Sequence, residues 1–226
     1  MKFILFDIDG TLIDSGGAGS NALNLAFEEI FSVKNAFRTV SMAGKTDVQI
    51  LKEGLALYGI SHTNGETPEF FRAYIRHLAE NVRNRKGHVK PGIRAALDAL
   101  SSGRENILGL LTGNISEGAR IKLETYDLYS YFRLGAFGDD SEDRNKLLPV
   151  AVGKLEKTAS LRLDFKDCIV IGDTPRDVDC AKPYGAKAVA VATGPYSSAA
   201  LRDAGADLVF EDLSDTGTFI AAMKTR

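Results

Sequence analysis

Lys2-Phe3-Ile4-Leu5-Phe6-Asp7-Ile8-Asp9-Gly10-Thr11-Leu12-Ile13-Asp14 (KFILFDIDGTLID, residues 2–14) is the stretch on which the fold turns. Phe3–Phe6 is apolar without alternation, the pattern of a strand covered on both faces. Two carboxylates, Asp7 and Asp9, follow at once, and Gly10 lets the chain turn sharply. Acids ending a buried strand have no packing purpose and are costly to bury unpaired, so the pair points to chemistry.

Working outward, similar apolar runs occur at Ile107–Leu111, Cys168–Ile171, Ala188–Ala192 and Leu208–Phe210. Between them, helical spacing of apolar residues marks 93–100, 115–123, 147–161 and 178–184. Strand and helix in alternation imply an α/β, doubly wound parallel sheet of the Rossmann type, with helices on both faces. Residues 16–88 break the rhythm. Three amphipathic helices are expected there, over 21–31, 47–58 and 68–82, with no strand. Gly16, Gly17 and Gly19 stand at the entry, and Gly87, Pro91 and Gly92 at the exit, as hinge-like connections. The expected organisation is a core of residues 1–15 and 89–226 with a helical insert, 16–88. The basic stretch 83–90 is expected to be a solvated linker, and His62, His77 and His88 to be surface residues.

The chain has 226 residues, ample for one sizeable core, and a net charge of −2, which suggests no dominant nucleic-acid surface. No apolar stretch approaches the 18 or so residues that span a bilayer, and the N-terminal run is too soon interrupted to be a signal peptide. Cys168 and Cys180 match no disulfide or zinc pattern, so buried thiols in a reducing, cytoplasmic compartment are expected. The sequence assigns no oligomeric state.

Acids and hydroxyls gather where the strands end: Asp7 and Asp9, then Thr112, Gly113 and Asn114, then Asp173 and Asp177. In an open parallel sheet these ends share one edge, where ligands bind. Carboxylates converging there call for a hard cation with oxygen ligands, and Mg²⁺ fits. One carboxylate can then attack phosphorus while a second protonates the leaving oxygen and activates water. The substrate expected is a small phosphorylated metabolite.

The three clusters, in this order, resemble the motifs of the haloacid dehalogenase-like hydrolase superfamily. DIDGT (7–11) resembles its first motif, Thr112 in LLTGN its second, and IGDTPRD (171–177) its acidic fourth. The resemblance implies Asp7 as nucleophile and metal ligand. It implies Asp9 as general acid/base, binding metal through its carbonyl, and Thr112 as a phosphoryl contact. Asp173 is implied as a Mg²⁺ ligand and Asp177 as support for the metal site. For the cationic third motif, Lys146 with Pro149 fits the spacing and is preferred, with Arg144 as the alternative. The insert resembles the superfamily's C1-type cap, and Gly44-Lys45-Thr46 resembles its specificity loop. Lys45 is thereby a candidate for an anionic substrate group, and Thr46 for a substrate contact or a helix cap. Gly113 and Asn114 are further substrate candidates, Asn114 also a helix cap.

Asp9 favours phosphate-ester over halide chemistry, because the dehalogenases lack an aspartate there. The expected function is Mg²⁺-dependent hydrolysis of a small phosphomonoester through an aspartyl-phosphate, phosphoglycolate phosphatase-like. A sugar phosphomutase of the β-phosphoglucomutase type shares the motifs and is separated by assaying phosphate release against isomer formation. A signalling receiver domain would need half the chain length and no insert. A non-catalytic binding protein on this scaffold would not need the intact acidic set.

Overall fold

The computed structural model describes residues 1–61, 66–83, 86–103 and 105–224. In chain order the elements are β1 (Lys2–Phe6), β2 (Ile13–Asp14), α1 (Ala18–Phe31), α2 (Asp47–Leu57), α3 (Glu66–Asn81) and β3 (His88–Val89). Then come α4 (Ile93–Ser102), β4 (Asn106–Leu111), α5 (Ser116–Thr125), β5 (Leu134–Ala136), α6 (Leu147–Ala159) and β6 (Cys168–Gly172). The chain ends with α7 (Pro175–Ala181), β7 (Lys187–Val191), α8 (Ser198–Asp203), β8 (Leu208–Phe210) and α9 (Thr216–Lys224). Six strands form one parallel sheet in the order β5-β4-β1-β6-β7-β8.

β1 lies mid-sheet, with Leu5 opposite Gly109 on one side and Val170 on the other. Its residues alternate between two cores. Phe3 and Leu5 pack with Leu147, Leu148, Leu155 and Val178 from α6 and α7. Ile4 and Phe6 pack with Ile93, Leu97, Leu123 and Phe219 from α4, α5 and α9. Both faces of the strand are therefore apolar, which is why its sequence does not alternate. The chain runs from β1 outward to β4 and β5, then returns past β1 to β6. That reversal opens a crevice at the strand ends.

Helices α1–α3 build a third apolar cluster, separate from the sheet's two. Phe27 is fully buried at its centre and meets the rings of Phe31, Phe37 and Phe70 at centroid distances of 4.7, 5.1 and 6.2 Å. The chain enters and leaves these helices through a two-stranded antiparallel ribbon, Ile13 opposite Val89 and Asp14 opposite His88. The described residues of the 83–90 stretch are exposed or half-buried, in keeping with a solvated connection, and His88–Val89 within it pairs as a strand. His77 pairs with Glu29 at 2.8 Å, and His62 lies outside the described residues. The expected elements do not include the edge strand β5, the six-residue α8 or the C-terminal α9. Cys168 and Cys180 are buried and unpaired, as expected.

Replacing Phe27 with Ala should leave a cavity in the α1–α3 cluster. The expected loss is about 3–5 kcal/mol, read as a lowered urea midpoint. An unchanged midpoint would mean that these helices do not unfold with the rest of the chain.

Candidate active site

The sheet delivers its acids to one place. Asp7 follows β1 directly, and its N–H donates to the Ile171 carbonyl at 2.9 Å, holding the residue in line with the sheet. Asp173 follows β6, and Asp177 lies in the first turn of α7. One oxygen from each of Asp7, Asp173 and Asp177 lies within 4.8 Å of the others, and all three residues are buried. Gly10 permits this approach. Its φ is +85°, and a Cβ there would stand 2.3 Å from the Asp173 carboxylate. Thr11 steadies that carboxylate with a 3.0 Å hydrogen bond.

Arg144 is the cation among these acids. It is 4% exposed, and one nitrogen lies 3.1 Å from Asp7 and 2.5 Å from Asp177. Lys146 has a 71% exposed side chain and reaches only Asp143, at 3.7 Å. The expectation of Lys146 at the site is therefore corrected to Arg144. Residues 144–146 form a 3₁₀ turn, and it carries Arg144 inward while Lys146 points to solvent. Asp177 does double duty. One oxygen accepts from Arg144, and the other from the Thr174 N–H at 3.0 Å and hydroxyl at 2.8 Å, a capping box on α7.

Electrostatics follow from this crowding. Burial raises the Asp7 carboxyl to about 6; Arg144 pulls it down, and Asp177 and Asp9 push it up. Burial, then Asp7 and Asp177, hold Asp173 well above the carboxylate range. One guanidinium does not satisfy three buried carboxylates, and their oxygen-only, closely spaced donor set suits a hard divalent cation.

Asp9 stands apart. Burial tends to raise it, yet Lys122 and Asn114 outweigh that and lower its pKa. Lys122 Nζ lies 2.6 Å from Asp9 and 2.6 Å from the Asn114 side-chain oxygen, and Asn114 donates to Asp9 at 2.9 Å. Asn114 also donates to the Thr112 hydroxyl at 2.9 Å and does not cap α5. Thr112, fully buried, favours the charged form of the Asp7 carboxyl. Lys122 belongs to none of the motifs, and sequence reasoning missed it. A signal was nonetheless present: it sits between Ala119 and Leu123 on the buried face of α5, where a lysine requires a partner.

The segment before α2 closes the crevice. A Cβ on Gly113 would meet the Lys45 carbonyl at 2.0 Å, so the two backbones touch there. The Asp47 N–H donates to the Gly113 carbonyl at 2.8 Å, and the Asp47 carboxylate accepts from the Ile115 N–H at 2.9 Å. Thr46, expected as a substrate contact or cap, is the N-cap of α2, accepting from the Gln49 N–H and donating to the Glu142 carbonyl. Both of its hydrogen bonds are spent away from the crevice. Lys45 does face the crevice but is paired with Glu53 at 2.5 Å. The cavity in this crevice is about 280 Å³ and is lined by Asp7, Asp9, Thr112, Lys122, Arg144 and Asp173, together with Lys45, Asp47 and Tyr74.

The chain is thus a doubly wound α/β protein with a buried carboxylate cluster and paired cations in a crevice at its strand ends. A model described as haloacid dehalogenase-like hydrolase matches residues 4–191, and the chain belongs to that family. It is 28% identical over 225 residues to a phosphoglycolate phosphatase of Rhodospirillum rubrum, covering 97% of this chain and 90% of the relative. It is 27% identical to a second, from Chromobacterium violaceum, covering 95% and 94%. A solved hydrolase from Pseudomonas syringae shares the fold end to end, with a TM-score of 0.74 at 23% identity and full coverage of both chains.

Burial raises the Asp47 carboxyl to about 6, opposed by Lys122 and the Ile115 N–H and reinforced by Asp9 and Asp139. The folded chain thus holds this proton to higher pH than the unfolded chain, whose value lies near 3.8. Its stabilising contribution is complete below about pH 4 and lost as pH climbs through about 6. With EDTA present, wild type should lose about 2–3 kcal/mol relative to Asp47→Asn between pH 4 and pH 7. Urea unfolding of both proteins at the two pH values checks this; a pH-independent difference would exclude the raised carboxyl.

Proposed function

We propose that the chain is a Mg²⁺-dependent phosphatase of small phosphomonoesters, phosphoglycolate phosphatase-like in its fold and motifs, acting through an aspartyl-phosphate on Asp7. The observation that carries this is the convergence of Asp7, Asp173 and Asp177 within 4.8 Å around Arg144. Asp7 and Asp173 would hold the cation with the Asp9 carbonyl, and Asp177 would add charge through its ties to Arg144 and Thr174. Bound Mg²⁺ would screen the negative charge of the transferring phosphoryl group.

Asp7 is the nucleophile, kept in line with β1 by its backbone bond to Ile171. Arg144 offsets negative charge beside it, and Thr112 with Asn114 and Gly113 holds the phosphoryl oxygens. Asp9 in its protonated form gives its proton to the leaving oxygen, and the resulting carboxylate, the form Lys122 favours, takes a proton from the water that cleaves the phospho-enzyme. Lys122, 2.6 Å away, fixes the orientation of Asp9. Helices α1–α3, residues 16–88, act as the cap, excluding water when the Gly44–Asp47 segment is docked. Free thiols at Cys168 and Cys180 suit a reducing, cytoplasmic setting. Among the described residues no helix is long and apolar enough to cross a membrane.

Asp7→Asn should lower phosphate release from a panel of phosphate esters by at least about 10³-fold. EDTA should abolish wild-type turnover, and Mg²⁺ should restore it. Undiminished turnover in the variant would remove Asp7 from the mechanism.

Arg144 and Lys146 separate cleanly. Arg144→Met should reduce kcat by about 10²–10³-fold, the scale of a lost charge-stabilising donor. Lys146→Ala should stay within about twofold of wild type, since an exposed ion pair contributes little. The reverse ranking in steady-state kinetics would reinstate the spacing-based expectation.

A further inference from the structure

The cavity's cations are already paired within the protein. Lys45, Lys122 and Arg144 are the cations that line it. Lys45 is held by Glu53 at 2.5 Å, and Gln49 steadies that carboxylate with a 3.2 Å hydrogen bond. Lys122 is held by Asp9, and Arg144 by Asp7 and Asp177. On the wall opposite the acidic cluster stands Asp47, 5% exposed, whose carboxylate accepts the Ile115 N–H and has no cation at ion-pair distance among the described residues. Beside it the Tyr74 hydroxyl is fully buried and makes no well-formed hydrogen bond among the described residues. Burial and the neighbouring Asp47 charge keep that hydroxyl protonated.

Counting Asp177 and Glu53 behind the lining, six carboxylates (Asp7, Asp9, Asp47, Asp173, Asp177, Glu53) face three cations. A divalent metal and a dianionic phosphoryl group cancel, leaving this excess in place. A carboxylate on the alcohol part of the ester would then lie beside Asp47 in a cavity whose lining offers it no unmatched positive charge. A hydroxyl there would meet the opposite situation. Asp47 offers an acceptor oxygen, and Tyr74 offers a hydroxyl that can both donate and accept.

Resting on the phosphatase reading, we propose that the site takes phosphate monoesters of uncharged, hydroxyl-bearing alcohols and selects against esters whose alcohol part carries a carboxylate. A cavity of about 280 Å³ limits that alcohol to a small polyol or a single sugar. Lys45, which the sequence offers as a receptor for an anionic substrate group, is withheld from that role by Glu53.

The test compares kcat/KM for 2-phosphoglycolate, glycerol 3-phosphate and a hexose 6-phosphate, all with Mg²⁺. Wild type should favour one or both uncharged-alcohol esters over 2-phosphoglycolate by at least about tenfold, ~1.4 kcal/mol of discrimination. Glu53→Gln frees Lys45 and should shift the ratio of 2-phosphoglycolate to glycerol 3-phosphate upward by about tenfold. Lys45→Gln should keep the wild-type preference. A wild-type preference for 2-phosphoglycolate that Lys45→Gln abolishes would overturn this inference and leave the phosphatase reading standing. No turnover of any ester, p-nitrophenyl phosphate included, would overturn both.

Discussion

Arg144 is the residue on which the site's geometry depends. Three carboxylates with oxygens inside 4.8 Å repel one another strongly in a buried setting, and the guanidinium spans two of them. Its fork geometry lets one end touch Asp7 and Asp177 while the same group lies 3.4 Å from the carbonyls of Leu111 and Gly44. It therefore joins the end of β4, the start of α7, the nucleophile candidate and the segment that covers the crevice. A lysine's single ammonium could not reach all four. Removal of such a group leaves its acids uncompensated, so its cost falls on geometry as well as on charge.

The fold was legible because β1 is buried on both faces. Phe3–Phe6 feeds two cores at once, and a continuous apolar run that ends in acids marks a covered strand opening onto a polar site. The same logic found β4, β6, β7 and β8. It did not find β5, where three residues at a sheet edge carry little hydrophobic signal, nor the six-residue α8, nor α9 beyond the last strand. The helices of α1–α3 were legible from their apolar spacing. The ribbon of β2 and β3 was not, since two-residue strands are made by pairing across the chain and have no local pattern.

The site was legible in its carboxylates and less so in its cations. Asp7, Asp9, Thr112 and Asp173 all lie where the strand ends were expected to place them. Spacing favoured Lys146, but the 3₁₀ turn at 144–146 decides which side chain faces inward, and turn geometry is not written in spacing. Lys122 illustrates a different limit. It lies eight residues beyond Asn114, two turns along α5, and reaches the site only because α5 points its N-terminal end at the crevice. A lysine on an apolar helix face is a recognisable anomaly, although its partner can be found only in three dimensions.

Asp47 shows how the covering helices are tied to the chemistry. It belongs to the first turn of α2, yet its carboxylate caps α5, whose own N-cap, Ile115, has no side chain able to do so. Its N–H meanwhile holds the carbonyl of Gly113, beside Thr112. The start of α5 and the strand-end loop that carries Asn114 are thus completed by a residue from another part of the chain. Undocking the Gly44–Asp47 segment would remove those partners and expose the Ile115 N–H together with the cavity. The Gly113 carbonyl and the Ile115 N–H, on either side of Asn114, are both held by that segment. In the phosphatase reading, water exclusion and a fixed loop around Asn114 would both follow from that one contact, and a substrate fitting beneath the segment would secure both.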